Sequence, residues 1–363
     1  MLFQKLSTDK FSKNFLMRRI GDISQIGGVR RYELLDGKAK GVEAIDVRTG
    51  TGFIFTVLIG RGMDIAWAEY KGIPLAFISK TGVVSSLYYE GSDLNWLRNF
   101  FGGLLTTCGL SNVGWPCEEV VENLGLQKFG LHGRISNTPA ENVNIKNYWE
   151  GDRFIINISG RMREAILHGE NLILEREIIT ELGRNSFEVH DTVENAGYEE
   201  SPLMILYHIN IGYPLLDVSS RFISNSIEIT PLDEYSIKGL EEYNKFSEPI
   251  HKFKELIFAH ELKTEGNGTT YVGIVNEELN VGLYVKFNKN ELPKFTQWKQ
   301  LGEGDYVLGI EPGNCYPIGR VETRKRGELE YLSPGERRKF NLEIGVISSS
   351  EDIYEFKKKV ASL

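Results

Sequence analysis

From about residue 41 onward, the sequence is dominated by short segments in which apolar and polar residues alternate, separated by glycine-containing turns. Alternation with a period of two is typical of β-strands, and a tight turn between two such segments predicts an antiparallel hairpin. Clear examples are GVEAIDVRTGTGFIFTVLIG, RFIINISGRMREAI, NLILEREIITEL, SFEVHDTVENAG and YVGIVNEELNVGLYVKF. Helical periodicity is confined to short stretches, SDLNWLRNFF, EEYNKF and EDIYEFKKKV. The sequence therefore predicts an all-β, antiparallel architecture with a few short helices.

The organisation of the chain points to one domain. Its 363 residues contain no repeat, low-complexity tract or proline-rich linker that would mark a boundary. All-β sandwiches and barrels often reach this length as one unit. We predict a single domain over residues 1–363, with residues 1–40 forming N-terminal strands or an arm packed on it. The first segment, MLFQKLSTDKFSKNFLMRRI, has too short an apolar run for a signal peptide and is predicted to stay in the mature protein.

Charge and cysteine content exclude several classes of protein. The formal net charge of -8 argues against a nucleic-acid partner, because such proteins need clustered positive charge to displace counterions. No apolar stretch is long enough to predict a membrane span. The three cysteines, Cys108, Cys117 and Cys315, cannot all pair within one chain and lack the spacing of a metal site. A reducing, cytoplasmic location is therefore expected.

The strand LMILYHINI, residues 203–211, carries two polar residues among apolar ones. Alternation places His208 and Asn210 on one face with Met204 and Leu206, while the opposite face is apolar except for a tyrosine. Both faces are predicted to be buried. A polar pair in that position has lost water and needs partners, so it is either a satisfied feature of the core or the floor of a ligand pocket.

Three further segments contain candidate functional residues. In FGLHGRISN, glycines flank His132 and are followed by Arg134, which suits either close approach to a polyhydroxylated or anionic ligand or a simple structural turn. In YVLGIEPGN, Glu311 ends an apolar strand, where it is either a partly desolvated base or a turn-capping carboxylate. In FTQWKQ, Trp298 and Lys299 offer a ring for stacking and a cation, although a half-buried Trp beside a surface Lys has the same pattern.

Taken together and in order, these segments resemble a known family. The succession GRGMDI, FFGGLLTTCGL, FGLHGRISN, VHDTVEN, LYHINIGYP, QWK and GIEPGN extends over most of the chain. It is similar to the galactose mutarotase (aldose 1-epimerase) superfamily, and more narrowly to a poorly characterised aldose 1-epimerase-like branch. The resemblance implies one large β-sandwich of stacked antiparallel sheets with a sugar site on a concave face.

The resemblance also implies an activity and the residues for it. His208 corresponds to the family's general acid and Glu311 to its general base in an isomerase reaction that opens the sugar ring at its anomeric carbon and needs no cofactor or metal. His132 would bind and polarise the sugar near its ring oxygen or an adjacent hydroxyl. Arg134, Asn210, Trp298 and Lys299 are the further candidates for substrate contact. The expected partner is a small carbohydrate rather than nucleic acid or membrane, and a homodimer is left open.

One departure from the family bears on the substrate. Well-studied members carry an arginine shortly before the Leu-His-Gly segment, whereas LLTTCGLSNVGW contains none. Arg61 or Arg134 would then supply the charge, although Arg61 also suits a structural ion pair with Asp64. If Arg61, Arg134 and Lys299 converge, they favour an acidic or phosphorylated sugar. Two alternatives stay open at this point: another sugar isomerase or lyase on the same scaffold, and a non-catalytic sugar-binding protein.

Overall fold

The computed structural model describes residues 8–363, in which strands far outnumber helices. In chain order the strands are β1 (Gly28–Leu34), β2 (Val42–Arg48), β3 (Phe53–Leu58), β4 (Asp64–Tyr70), β5 (Ile73–Pro74), β6 (Thr106–Leu110), β7 (Cys117–Val121), β8 (Gly125–Phe129), β9 (Glu141–Glu150), β10 (Arg153–Ala165), β11 (Asn171–Glu181), β12 (Ser186–Asn195), β13 (Ser201–Ile211), β14 (Ser220–Ile223), β15 (Ser226–Pro231), β16 (Leu256–Leu262), β17 (Thr269–Asn276), β18 (Val281–Asn288), β19 (Lys294–Gly302), β20 (Asp305–Gly313), β21 (Glu330–Leu332) and β22 (Arg337–Ile347). The α-helices are α1 (Lys13–Met17), α2 (Arg320–Lys325) and α3 (Ser350–Ala361).

These strands form three main sheets and a separate hairpin. The first sheet runs in the order β1-β2-β3-β4-β5, and the largest in the order β14-β17-β18-β22-β12-β11-β10-β9. The third runs β15-β16-β19-β20-β13-β21, with β6 also paired to β13, and β7 and β8 form the separate hairpin. All of these pairs are antiparallel, as the hairpin turns in the sequence predicted.

The main core lies between the eight-stranded sheet and the two smaller sheets. Phe55 of β3 packs on Phe187 of β12 with ring centroids 4.4 Å apart, and Phe287 of β18 stacks on Phe295 of β19 at 6.0 Å. One continuous cluster of buried apolar side chains includes residues of all three sheets. Burial of this apolar surface is what holds the layers together. The predicted antiparallel β-sandwich is confirmed.

The helices agree with the sequence only in part. The predicted C-terminal helix is α3, capped by Ser349, whose hydroxyl accepts a hydrogen bond from the Asp352 amide at 3.1 Å. The stretch predicted as a helix over 92–101 contains only a 3₁₀ turn at Asn95–Arg98, because Asp93 has a left-handed φ of 49° and helical backbone begins after it. In place of the helix predicted in EEYNKF, a 3₁₀ turn spans Ser236–Glu242.

The N-terminal segment is more helical than predicted. Residues 1–7 lie outside the described residues, and residues 8–40 contain α1, 3₁₀ turns and one strand, β1. Leu16 of α1 is buried in the main core, so this segment packs on the sandwich. Within residues 8–363, no helix combines the length and the apolar character needed to cross a membrane. The cytoplasmic location stays a prediction.

A buried charge network connects the sheets. Arg176 of β11 donates two hydrogen bonds to Asp191 of β12, at 2.9 and 2.6 Å, and one to Asp64 of β4 at 3.1 Å. It also donates to the Thr107 hydroxyl of β6 at 2.8 Å, and the Tyr207 hydroxyl of β13 donates to Asp191 at 2.7 Å. The Arg176, Asp64 and Asp191 side chains are fully buried, so each charge depends on the others for the interactions that water would otherwise provide.

Removing the central cation is expected to destabilise the fold strongly. Arg176→Met would leave two buried carboxylates unpaired, and we expect the free energy of unfolding in urea to fall by about 3 to 5 kcal/mol. Arg337→Met is the matched control, because Arg337 is half exposed and its ion pairs with Glu175 and Glu194 lie at the surface. The control is expected to cost no more than about 1 kcal/mol. Equal losses for the two variants would contradict a special role of the buried network.

Candidate active site

A cavity of about 530 Å³ lies over the third sheet, a size suited to a small organic ligand. Its floor comes from β13, β16, β19 and β20, and its walls come from the loops that contain Phe77–Thr81, 94–100, 114–115 and 131–132. The aromatic side chains that line it are Phe77, Trp96, Phe100, Trp115 and Trp298. The polar and charged ones are Ser79, Lys80, Thr81, His132, His208, Glu255, Gln300, Asp305 and Glu311.

Alternation along β13 divides its side chains between two environments. Leu203, Ile205, Tyr207, Ile209 and Ile211 belong to the main core. Met204 and Leu206 belong to a second apolar cluster that also contains Trp96, Phe100 and Leu131 of the cavity wall. His208 continues this second face and reaches the cavity. The two buried faces predicted for this strand are therefore both present, and they pack on different parts of the molecule.

His208 and Glu311 meet at the floor of the cavity. The His208 Nε2 atom lies 3.2 Å from the Glu311 Oε1 atom, and the two side chains are only 6% and 2% exposed. Glu311 projects from β20 over Gly309, where a Cβ would come within 2.5 Å of Oε1 and 2.9 Å of the Trp298 Cβ. The glycine two residues before the glutamate thus leaves the space that the carboxylate occupies.

Burial dominates the electrostatics of this pair. It raises the pKa of Glu311 well above its usual value, and the negative charge of Glu255 raises it further. Burial lowers the pKa of His208 to about 4, and the neighbouring Asn210 side chain offsets part of this shift. Both shifts disfavour the charged forms, so a pair that holds one proton is favoured. Within residues 8–363, Glu311 Oε1 lacks a hydrogen-bond partner, which leaves it available to a ligand.

His132 lies beside the pair as a neutral donor. Its ring centroid is 5.8 Å from that of His208, and it packs on Trp96 at 4.7 Å. The Gly114 amide donates to Nδ1 at 3.4 Å, which assigns the ring proton to Nε2. Burial, and then His208, lower its pKa to about 3, so the ring stays neutral. In this Leu-His-Gly turn His132 has a φ of 55°, a left-handed conformation that histidine adopts more readily than most residues.

Trp298 forms one wall of the site and is held by a residue that the sequence analysis missed. The Trp298 indole N–H donates to Glu255 Oε2 at 2.7 Å, and the ring lies 5.2 Å from His208. Glu255 precedes β16 in a lysine-rich stretch where nothing marks it as functional. Pairing of β16 with β19, which sets Ile257 opposite Trp298, is what brings it to the cavity.

Two predicted substrate contacts, Asn210 and Arg61, are instead used inside the protein. Asn210 donates to the carbonyls of Gly103 at 3.0 Å and His208 at 2.9 Å and does not line the cavity. Arg61 is 1% exposed, and its guanidinium donates to the carbonyls of Ser136, Val84 and Asn99. It does not pair directly with Asp64, which binds Arg176 instead. The contact roles predicted for Asn210 and Arg61 are therefore corrected to structural ones.

The other two predicted contacts lie away from the cavity. Lys299 points to the opposite face of β19 from Trp298, where its ammonium donates to the Glu242 carbonyl at 2.8 Å and burial lowers its pKa to about 8. Arg134 is exposed, lies 5.8 Å from the Tyr89 ring, and borders a separate cavity with Arg163 and Glu164. Alternation explains the position of Lys299, because adjacent residues of a strand face opposite sides of the sheet.

The basic residues therefore do not converge, and the condition for the anionic-sugar hypothesis is not met. Among the residues described, Lys80 is the one basic side chain other than histidine that lines the cavity. Its ammonium is paired with Asp305, 2.7 Å away.

Across residues 8–363, no three His, Cys, Asp or Glu side chains form a cluster that could hold a metal ion. Cys108 and Cys315 are buried in the second apolar cluster, where burial raises the pKa of both thiols.

A family model described as "Domain of unknown function (DUF4432)" matches residues 39–346. No functionally curated protein matches the chain. Among solved structures, a protein of Klebsiella pneumoniae described as a "putative aldose 1-epimerase" has a TM-score of 0.85 and 26% identity, covering 92% of this chain and 87% of that one.

Two further solved structures share the fold at lower similarity. A galactose mutarotase-like protein of Clostridium acetobutylicum has a TM-score of 0.59 and 14% identity, covering 89% of this chain and 99% of that one. A galactose 1-epimerase of Lactobacillus acidophilus has a TM-score of 0.57 and 13% identity, covering 88% and 98%. The resemblance seen in the sequence is confirmed at the level of the fold.

A methyl group at position 309 is expected to displace the Glu311 carboxylate. Gly309→Ala would place a Cβ 2.5 Å from Glu311 Oε1, and the clash is expected to cost about 1 to 3 kcal/mol of stability. The NMR signals of the His208 imidazole should shift because its neighbour moves. Gly266→Ala is the matched control, since nothing lies within 4 Å of a Cβ there. Unchanged His208 signals in the Gly309 variant would contradict this packing.

Proposed function

We propose that this chain, which belongs to the DUF4432 family, interconverts the α and β anomers of an aldose by acid-base ring opening. The observation that carries the proposal is the buried His208–Glu311 pair, 3.2 Å apart at the floor of a cavity of sugar size. The descriptions of its structural neighbours as aldose or galactose 1-epimerases support the same reaction. In a cofactor-free reaction of this kind, one group removes a proton from the sugar while another donates one.

The reaction balances with one proton on the pair. The shifted pKa values place this proton on Glu311 at rest, so it first passes to His208. Glu311 then accepts the anomeric hydroxyl proton as His208 donates to the ring oxygen and the bond from C1 to that oxygen breaks. The aldehyde end rotates, and closure on its other face returns both protons. The hydroxyl and the ring oxygen are bonded to the same carbon, so acid and base have to lie close together, as His208 and Glu311 do.

The surrounding residues suit the binding of a sugar. The His132 Nε2–H is a neutral donor beside the pair, suited to a ring oxygen or an adjacent hydroxyl. Trp298 offers an aromatic surface on which the apolar face of a pyranose can pack. Burial of the pair also removes the water that would compete for the exchanging protons.

Loss of either partner is expected to abolish acceleration of anomer exchange. Glu311→Gln and His208→Asn each remove one proton-transfer group, so the rate should fall by about 10²-fold or more. Exchange NMR of α and β signals, on a panel of aldoses, measures this directly. His190→Asn is the matched control, because His190 lies on the eight-stranded sheet, paired with Glu188. Binding of a sugar without acceleration by the wild type would contradict the proposal.

The dependence on pH should reflect the depressed pKa of His208. The active pair holds one proton, and gain of a second requires protonation of a His208 whose pKa is lowered to about 4. Activity should therefore persist as pH falls through 6.5, where an ordinary histidine titrates, and decline only near pH 4. A kcat/KM profile corrected for spontaneous exchange, with circular dichroism to verify folding, checks this. A decline centred at pH 6.5 would mean that His208 is not desolvated during catalysis.

A further inference from the structure

The charges that line the cavity are unequally compensated. Three carboxylates, Glu255, Asp305 and Glu311, line it together with one lysine, Lys80. Asp305 is paired with Lys80 at 2.7 Å, and burial favours the protonated, neutral form of Glu311. Glu255 remains. Within residues 8–363, no basic side chain pairs with it, and the adjacent Lys254 lies over the Tyr235 ring at 5.2 Å.

One oxygen of the Glu255 carboxylate is held by Trp298, and the other is left without a hydrogen bond from the described residues. Its Oε2 accepts the Trp298 indole N–H at 2.7 Å, which holds the carboxylate against the aromatic wall of the cavity. In the described part of the chain, Oε1 makes no hydrogen bond of its own. A carboxylate fixed beside aromatic rings is the arrangement that attracts ammonium groups and hydroxyl donors, because the rings and the carboxylate present negative potential together.

We infer that the site selects its sugar by charge: it takes ammonium-bearing and neutral sugars, rejects anionic ones, and uses Glu255 as the selecting residue. This inference rests on the proposed function in taking the cavity to be a sugar site. His208 and Glu311, both more than nine-tenths buried, supply the independent indication that a ligand enters here, because Glu311 Oε1 makes no hydrogen bond to any residue between 8 and 363.

The size of the effect follows from electrostatics at short range. A carboxylate or phosphate on a sugar in a cavity of this size would come within several ångströms of Glu255, and no unpaired cation among the described wall residues offsets the repulsion. Salt and water entering the cavity reduce the interaction. For partly screened charges at that distance, we expect the affinities of neutral and anionic sugars to differ by about tenfold or more.

The test compares sugars that share a ring and differ in charge. Dissociation constants for glucosamine, glucose and glucuronic acid, and for the corresponding galactose series, are measured at low ionic strength by saturation-transfer NMR. Wild type should bind the amino and neutral sugars at least about tenfold more tightly than the uronic acid. Glu255→Gln keeps an acceptor for the Trp298 indole but removes the charge, so this gap should shrink about tenfold.

The matched control is Glu303→Gln, which removes the same unit of charge from an exposed carboxylate paired with His251 outside the cavity. This variant should leave the difference in affinity between neutral and anionic sugars unchanged. Equal binding of uronic acid and neutral sugar by wild type, or an unaltered gap in Glu255→Gln, overturns the inference. Anomer exchange is recorded separately. If the affinities follow the expected order but anomer exchange is not accelerated, only the proposed reaction is refuted. If exchange is accelerated without any preference for charge, only this inference is refuted. If no sugar binds, both are refuted.

Discussion

The buried ion network around Arg176 determines how the layers of this protein are positioned. Two fully buried carboxylates, Asp64 and Asp191, approach one guanidinium, so none of the three is stable in place without the others. Thr107 and Tyr207 complete the set from two strands of the third sheet. Apolar packing would tolerate small sliding of one sheet over another. Directed hydrogen bonds between charged groups tolerate much less.

That restraint acts on the candidate site through one strand. Tyr207 of β13 donates to the network, and the next residue, His208, faces the cavity on the other side of the strand. The position of His208 relative to Glu311 then depends on pairing between β13 and β20, which sets Ile209 opposite Ile310. Gly309, on β20, leaves space for the carboxylate. The chemistry proposed for the pair thus depends on contacts made on the opposite face of β13.

Burial has opposite effects on the two kinds of charge in this molecule. Around Arg176, hydrogen bonds from the guanidinium, Thr107 and Tyr207 offset much of the cost of burying the two carboxylates. At His208 and Glu311, burial without such compensation disfavours both charged forms. Glu255 is a third case, a carboxylate held by an indole and still open to the cavity. These differences in compensation separate the structural charges from those proposed to act on a ligand.

Much of the architecture could be predicted from the sequence alone. Alternation and turns determine the antiparallel strands, the two buried faces of β13 and the helical C-terminus, because each depends on residues close together in the chain. The candidate pair His208 and Glu311, with His132 and Trp298, also came from the order of short motifs. Only the tertiary structure decided that Arg61, Arg134, Asn210 and Lys299 point elsewhere and that Glu255 joins the cavity. The reason is physical: convergence depends on register between strands such as β16 and β19, whose partners Ile257 and Trp298 are far apart in the chain, and desolvation depends on everything packed around a group.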